Sequence, residues 1–238
     1  MIDRDLEIRT PDGDMTTFIS HPEGDGPYPL ILFLMDAPGK REELHDMARR
    51  LAAKGYYVML PNLYYRRTPV FDMEAEGRDV MREHMASLSI AAVCQDVSAM
   101  LEFSTGDSAA RAGAIGCVGY CMSGPFAFAL AALEQRVAAS ASIHGVMLCS
   151  DQQDSPHLLS DRVKGELYFG CAENDVHVPE GMIEALEKHL EQVGADYRIE
   201  WYPGTAHGFV FPKRDAAYNE EAAERHWERL FDLFQRKL

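Results

Sequence analysis

The chain has 238 residues, of which 47% are hydrophobic and 26% are charged, and its formal net charge is −15. This length and composition suit one compact α/β domain with a sizeable core, so we predict a single domain over residues 1–238. The negative charge argues against nucleic acid and anionic membrane surfaces as main partners. We expect a small-molecule substrate and a monomer or small homo-oligomer.

The N-terminus, MIDRDLEIRT, is charged and has no apolar signal-peptide region, and the apolar runs that follow are too short to span a bilayer. The five cysteines are odd in number and include no CxxC pair, which predicts neither a disulfide framework nor a zinc site. Both features favour a cytoplasmic protein with free thiols. We expect no cofactor and no metal.

Strand-like and helical patterns alternate along the chain. Strands are predicted at 5–9, 14–20, 28–35, 56–60, 114–118, 137–143, 166–170 and 197–201. Helices are predicted at 40–54, 73–103 with a break near Ser87, 125–133, 179–193 and 219–236, with Gly55 ending the first. This order predicts an α/β fold with a mostly parallel sheet covered by helices on both faces. Sites in such sheets follow the carboxyl ends of strands.

The segment Gly119-Tyr120-Cys121-Met122-Ser123-Gly124 lies between a predicted strand and a predicted helix. It matches the nucleophile turn G-x-nucleophile-x-small, with cysteine as the nucleophile. The positions two before and two after must be small, because strand and helix nearly touch there. Cys121 is therefore our candidate nucleophile. A buried structural cysteine is the alternative, and Ser123 fits the nucleophile position poorly.

The remaining members of a catalytic triad should follow later strands in the order acid, then histidine. Asp175 follows the strand at 166–170, with Glu173 as its nearest rival and a turn-forming role as the alternative. His207 follows the last strand, and although His144 and His177 also lie near strand ends, neither takes that final place. The ordered set predicts a Cys121–His207–Asp175 triad.

The chemistry assigns a role to each member of this triad. Cys121 attacks a carbonyl carbon, His207 transfers the proton and later activates water, and Asp175 orients His207. The backbone N–H of Met122 is expected to donate to the oxyanion, together with the N–H of Ala37 in the loop after the third strand.

These segments resemble the dienelactone hydrolases, the carboxymethylenebutenolidase-like family of the α/β-hydrolases. The resemblance covers nearly the whole chain, and its anchors are GYCMSG, the END that finishes at Asp175, GTAHGF around His207, and GYYVMLPNLYYR over 55–66. It implies an α/β-hydrolase fold and hydrolysis of a small ester or lactone through an acyl-enzyme. It also implies that Asp36, in the place of the family's usual glutamate, helps to activate the thiol.

The same resemblance implies a site for a substrate carboxylate, normally held by two arginines. One of them should lie four positions after the histidine, where this chain has Phe211. The other corresponds best to Arg78, with Arg82 as runner-up, and either could be a solvated helix charge. We predict that the substrate is bound by Arg78, Tyr64, Phe209 and Phe211. The apolar pair Phe209 and Phe211, with Tyr64 and Tyr65 nearby, favours a less charged ester or lactone.

Two other function classes compete with hydrolysis by the triad. A non-catalytic relative that only binds a small ligand or partner is the main alternative. A metal hydrolase is disfavoured, because the sequence has no HExxH motif and no clustered His/Cys spacing.

Overall fold

The computed structural model describes all 238 residues. Its eight strands are β1 (Ile2–Thr10), β2 (Gly13–His21), β3 (Tyr28–Leu34), β4 (Tyr57–Pro61), β5 (Ala110–Tyr120), β6 (Val137–Ile143), β7 (Glu166–Asn174) and β8 (Tyr197–Ala206). Its six α-helices are α1 (Glu42–Ala52), α2 (Met73–Ala86), α3 (Ile90–Thr105), α4 (Gly124–Leu133), α5 (Met182–Val193) and α6 (Glu220–Lys237). The strands form one sheet in the order β1-β2-β4-β3-β5-β6-β7-β8.

This arrangement confirms the predicted α/β fold and its mostly parallel sheet. The predicted break near Ser87 lies between α2 and α3, where Ser89 caps α3 by accepting the N–H of Ala92. The start of the helix predicted at 179 is wrong: α5 begins at Met182, because Gly181 has φ 78 in the left-handed region. The predicted end of the first helix at 54 is also wrong, because α1 ends at Ala52, three residues before Gly55.

The chain divides into two compact units, Met1–Ile115 and Gly116–Leu238. In the first, β1 and β2 form an antiparallel hairpin, β2 runs antiparallel to β4, and β3 runs parallel to β4. The apolar run of β3 is buried from Leu30 to Leu34, as expected for an inner strand. The loop that carries Asp36 follows its carboxyl end. The prediction of a single domain stays a prediction.

The second unit brings together the strand ends that precede the candidate site residues. β6, β7 and β8 are parallel, with Ile143 opposite Gly170 and Cys171 opposite Trp201. The carboxyl ends of these strands therefore lie at one edge of the sheet.

No single helix is both long and apolar enough to cross a membrane; α2 and α3 meet that test only as a pair, bent by 87° at the break between them.

Candidate active site

Cys121 lies on a sharp turn between β5 and α4. Its φ is 54°, in the left-handed region that residues other than glycine rarely adopt. A short 3-10 turn, Cys121–Ser123, leads directly into α4. A β-carbon on Gly119 would lie 2.1 Å from the carbonyl oxygen of Ser123, so the chain needs glycine at 119. The strained backbone is thus held by close packing on both sides of the cysteine.

Substitution of Gly119 by alanine should therefore destabilise the turn. We expect Gly119→Ala to lower the free energy of unfolding by about 1–3 kcal/mol or more, because the new methyl group meets rigid backbone. Gly106→Ala is the matched control: Gly106 has φ −88°, and a β-carbon there would lie 3.6 Å from the carbonyl oxygen of Phe103. Urea denaturation measures both, and equal stabilities would contradict the packing argument.

Asp175 and His207 form a buried hydrogen-bonded pair in the same unit as Cys121. Nδ1 of His207 lies 2.7 Å from Oδ2 of Asp175, and the two side chains are 9% and 4% exposed. Oδ1 of Asp175 accepts the backbone N–H of His177 at 2.9 Å. The rival acid, Glu173, instead accepts the N–H of Gly204 at 2.7 Å and so fastens the end of β8. The geometry favours Asp175 as the partner of the histidine.

The electrostatics of His207 connect it to Cys121. Burial alone would lower the pKa of His207, but hydrogen bonds to Asp175 and Cys121, with the charges of both, raise it to about 9. Nε2 of His207 is buried and has no well-aligned hydrogen bond to any protein atom. We therefore interpret the contact with Cys121 as close but off-axis, as is common in unliganded active sites.

Two further histidines flank His207, although the sequence predicts contact with His207 for neither of them. The ring centroids of His144 and His207 are 4.7 Å apart, and those of His177 and His207 are 4.6 Å apart, with both pairs edge to face. His144 is 1% exposed, whereas His177 is exposed. Their positions just after β6 and β7 are the sequence feature that indicates this proximity, because those strand ends share one edge of the sheet.

In the first unit, the predicted thiol activator and oxyanion loop are firmly held. Asp36 is fully buried, and its carboxylate accepts from Arg41, which also donates to Glu43 at 2.6 Å. The hydroxyl of Tyr64 donates to the carbonyl oxygen of Ala37 at 2.9 Å. These contacts fix the loop after β3 through charges and a hydrogen bond that the sequence analysis did not foresee. The roles of Asp36 and Ala37 stay predictions.

The residues predicted to bind substrate are placed less favourably for that role. Phe209 and Phe211 are 0% exposed and pack around His144, at ring-centroid distances of 5.8 and 5.6 Å. Tyr64 is 1% exposed, with its hydroxyl occupied by Ala37. Arg78 is exposed on α2, directly after the non-helical Gly77. The structure therefore does not support direct contact between a substrate and Phe209, Phe211 or Tyr64.

A cavity of about 470 Å³ lies in the first unit, and no triad residue lines it. Its walls are Asp5, Leu6, Glu7, Thr16, Lys40, His45, Asn62, Pro69, Val70 and Phe71. No group of three or more His, Cys, Asp or Glu side chains is placed to hold a metal ion. The reactive groups of the chain therefore centre on Cys121 and His207 rather than on this cavity.

Comparison with known proteins identifies the family of the chain. A model of the dienelactone hydrolase family matches residues 15–238, nearly the whole chain. The chain belongs to this family. Its α/β-hydrolase fold, which the sequence resemblance implied, is thereby confirmed.

The individual relatives of this dienelactone hydrolase family member are identical to it at only a minority of positions. A Synechocystis protein named "Putative carboxymethylenebutenolidase" is 27% identical over 226 residues, covering 93% of this chain and 91% of the relative. A Klebsiella pneumoniae structure described as a "Putative Dienelactone Hydrolase" superposes with a TM-score of 0.87 at 22% identity, covering 98% of both chains. A dienelactone hydrolase-like promiscuous phosphotriesterase from metagenomic libraries gives a TM-score of 0.81 at 19% identity, covering 99% of this chain and 98% of that one. The two structures support the fold.

Proposed function

We propose that this protein hydrolyses small-molecule esters or lactones, with Cys121 as nucleophile, His207 as proton carrier and Asp175 as the acid that orients His207. The observation that carries the proposal is the 2.7 Å hydrogen bond from His207 to Asp175, on a histidine whose pKa is raised to about 9 by Asp175 and Cys121. A histidine that holds its proton beside a cysteine stabilises the thiolate, which is the nucleophilic form.

The proposed reaction has two halves. The Cys121 thiolate attacks the carbonyl carbon, and the N–H of Met122 at the start of the 3-10 turn donates to the oxygen that becomes negative. The tetrahedral intermediate then collapses to a thioester, and protonated His207 gives its proton to the departing alcohol oxygen. Water, activated by neutral His207, then hydrolyses the thioester and releases the acid. This step regenerates Cys121 and His207, which again share one proton.

The raised pKa of His207 explains how one histidine serves both halves. Part of that rise comes from Cys121, whose sulfur becomes uncharged in the thioester. The pKa of His207 therefore falls when the acyl-enzyme forms. The same side chain is an acid when the leaving group needs a proton and a base when water must lose one.

The proposed substrate class rests on the family and on one departure from it. The family resemblance implies carbonyl esters and lactones, and the first relative carries the name carboxymethylenebutenolidase. Phe211 stands where the family resemblance implies an arginine for a substrate carboxylate, which favours an uncharged ester or lactone over a carboxylated one. The preference is testable with paired substrates that differ only in that charge.

The test is a panel of esters and lactones, with and without a carboxylate, assayed with untreated protein and with protein alkylated by iodoacetamide. We expect turnover of several uncharged members, its loss on alkylation, and the label on Cys121 by mass spectrometry. Turnover that survives complete labelling of Cys121 would contradict the proposed nucleophile. Absence of turnover with every member, combined with an inert Cys121 thiol, would support the binding-only alternative.

The pH dependence should differ between leaving groups. We expect kcat/KM for alkyl esters or lactones to fall as pH rises through about 9, because His207 then loses the proton that the alkoxide needs. A p-nitrophenyl ester leaves as a stable anion and should show a much smaller decline. Matched profiles of one acyl group with both leaving groups measure the difference. Identical declines would show that His207 does not supply this proton.

A further inference from the structure

His144 is a fully buried histidine whose ring nitrogens bond to no other residue, and its side chain is packed beside the catalytic pair. It is 1% exposed, and neither Nδ1 nor Nε2 makes a well-aligned hydrogen bond, since the nearest backbone acceptor is the strained carbonyl of His144 itself. A buried polar group without a partner is unfavourable, and native proteins retain few of them. The proposed catalytic cycle uses no atom of this side chain, so its retention next to His207 needs another reason.

The backbone holds His144 in a strained and fixed position. Its φ is 38°, in the left-handed region, and its N–H donates to the carbonyl oxygen of Gly170 at 2.7 Å. The next residue is packed closely, because a β-carbon on Gly145 would lie 2.1 Å from Oγ of Ser142 and 3.3 Å from Cα of Gly124. The N–H of Val146 then donates to the carbonyl oxygen of Cys121 at 3.3 Å. Strain that is fixed on both sides is typical of functional positions.

The surroundings of the imidazole keep it neutral. Burial holds the pKa of His144 well below its usual value, and the nearby positive charges of His207, Arg214 and His226 act in the same direction. A neutral imidazole carries one N–H donor and one acceptor nitrogen.

A small cavity lies beside this neutral ring. Its walls include His144, Cys171 and the triad acid Asp175, and it offers about 10 Å³ of room. That is the space one buried water molecule needs, provided that the water finds two or more polar partners. The carboxylate of Asp175 has about four acceptor sites, of which the N–H of His177 and Nδ1 of His207 use two. His144 and Asp175 thus line the same water-sized space, and each has hydrogen-bonding capacity left over.

We propose that His144 is a positioning residue that holds one buried water molecule against Asp175 and thereby fixes the carboxylate in its orientation toward His207. The water hydrogen-bonds one ring nitrogen of His144 and donates to the carboxylate. His144 thus acts on the reaction only through Asp175 and His207. This inference rests on the proposed function for its role in catalysis, but its effect on the Cys121 thiol exists without any substrate.

Two variants at the same backbone position separate this role from simple space filling. His144→Phe keeps an aromatic ring in the aromatic surroundings but offers nothing to a water, whereas His144→Gln keeps a donor and an acceptor. In both variants the new residue must adopt the left-handed backbone conformation of residue 144, which costs free energy. If His144 only fills space, the phenylalanine variant should behave like the wild type and the glutamine variant should be worse. The proposed water site requires the opposite order.

The measurement is the rate of iodoacetamide alkylation of Cys121 as a function of pH, together with the pH profile of kcat/KM and the melting temperature. We expect His144→Phe to fold, to melt close to the His144→Gln variant because both bear the left-handed backbone cost, and to move the alkylation midpoint up by about one pH unit, a tenfold loss of thiolate below it. His144→Gln should lie near the wild-type midpoint. The charged and titratable groups that face His144 are unchanged in both variants; they are His207, Arg214, His226, Asp175, Cys171 and Tyr120.

A high-resolution crystal structure supplies the direct test. An ordered water between His144 and Asp175 in wild type, absent from His144→Phe, supports the inference. A dry site in wild type, or an unchanged alkylation midpoint in His144→Phe, overturns it. If no ester or lactone is hydrolysed but the midpoint still moves, the proposed function fails and the water site stands. Turnover with an unmoved midpoint instead overturns the water site and leaves the proposed function standing.

Discussion

Replacement of Cys121 by alanine is expected to lower kcat by about 10⁴- to 10⁶-fold on any ester or lactone that the wild type hydrolyses. The side chain lies at the left-handed turn before α4. Ser123, two residues on, ends the 3-10 turn, is fully buried and has helical backbone angles. It therefore offers no substitute nucleophile. Steady-state assays with active-site titration of the wild type measure the loss.

Cys94→Ala is the matched control for this experiment. Cys94 is a half-buried free thiol on α3 in the first unit, and burial with the charge of Asp96 raises its pKa to about 11. Such a thiol is a poor nucleophile at neutral pH. The control variant should retain wild-type kcat and KM, and iodoacetamide should still label Cys121. Appreciable turnover by Cys121→Ala would require another nucleophile and would overturn the proposed mechanism.

The fold and the order of the candidate site followed from local sequence patterns. Continuous apolar runs such as 28–35 predict inner parallel strands, and reactive residues after three such strands predict where side chains meet. Cys121, Asp175 and His207 each follow a strand directly, and Asp175 and His207 are hydrogen bonded to each other. These inferences needed only the period of the pattern and the chain order.

The packing around His207 could not be obtained in this way. The contact between His144 and His207 depends on the register that sets Ile143 opposite Gly170 and on a positive φ at 144. Neither quantity has a local signature in the sequence. The same limit applies to the surroundings of Phe209 and Phe211. The sequence predicts that they contact the substrate, whereas the structure buries them against His144.

Charge pairs across a loop were equally hidden from the sequence. The family resemblance predicts that Asp36 acts on the thiol, and nothing in the sequence pattern predicts its ion pair with Arg41. In the structure the guanidinium of Arg41 lies between Asp36 and the buried Glu43. Burial of two carboxylates is favourable only with such a cation present, so the loop conformation and the ion pair depend on each other.

Replacement of Asp175 by asparagine is expected to lower kcat roughly 10³- to 10⁴-fold while leaving the protein folded. The asparagine amide nitrogen would donate to Nδ1 of His207 and force the ring proton onto Nε2, the nitrogen that must accept and deliver protons at Cys121. Loss of the carboxylate charge would also lower the pKa of His207 from about 9. Stopped assays of kcat and the pH dependence of Cys121 alkylation measure the two effects, and the alkylation midpoint should move to higher pH.

Glu173→Gln is the matched control, because Glu173 lies two residues from Asp175 and its carboxylate contacts the backbone N–H of Gly204 rather than a histidine. Glutamine retains an acceptor for that N–H, so kcat and the alkylation midpoint should stay near wild-type values. An equal loss in the two variants would show that the loop as a whole, and not the charge at 175, governs the reaction. A normal alkylation midpoint in Asp175→Asn would separate Asp175 from the thiolate, and the pKa of His207 would then have to be set by Cys121 alone.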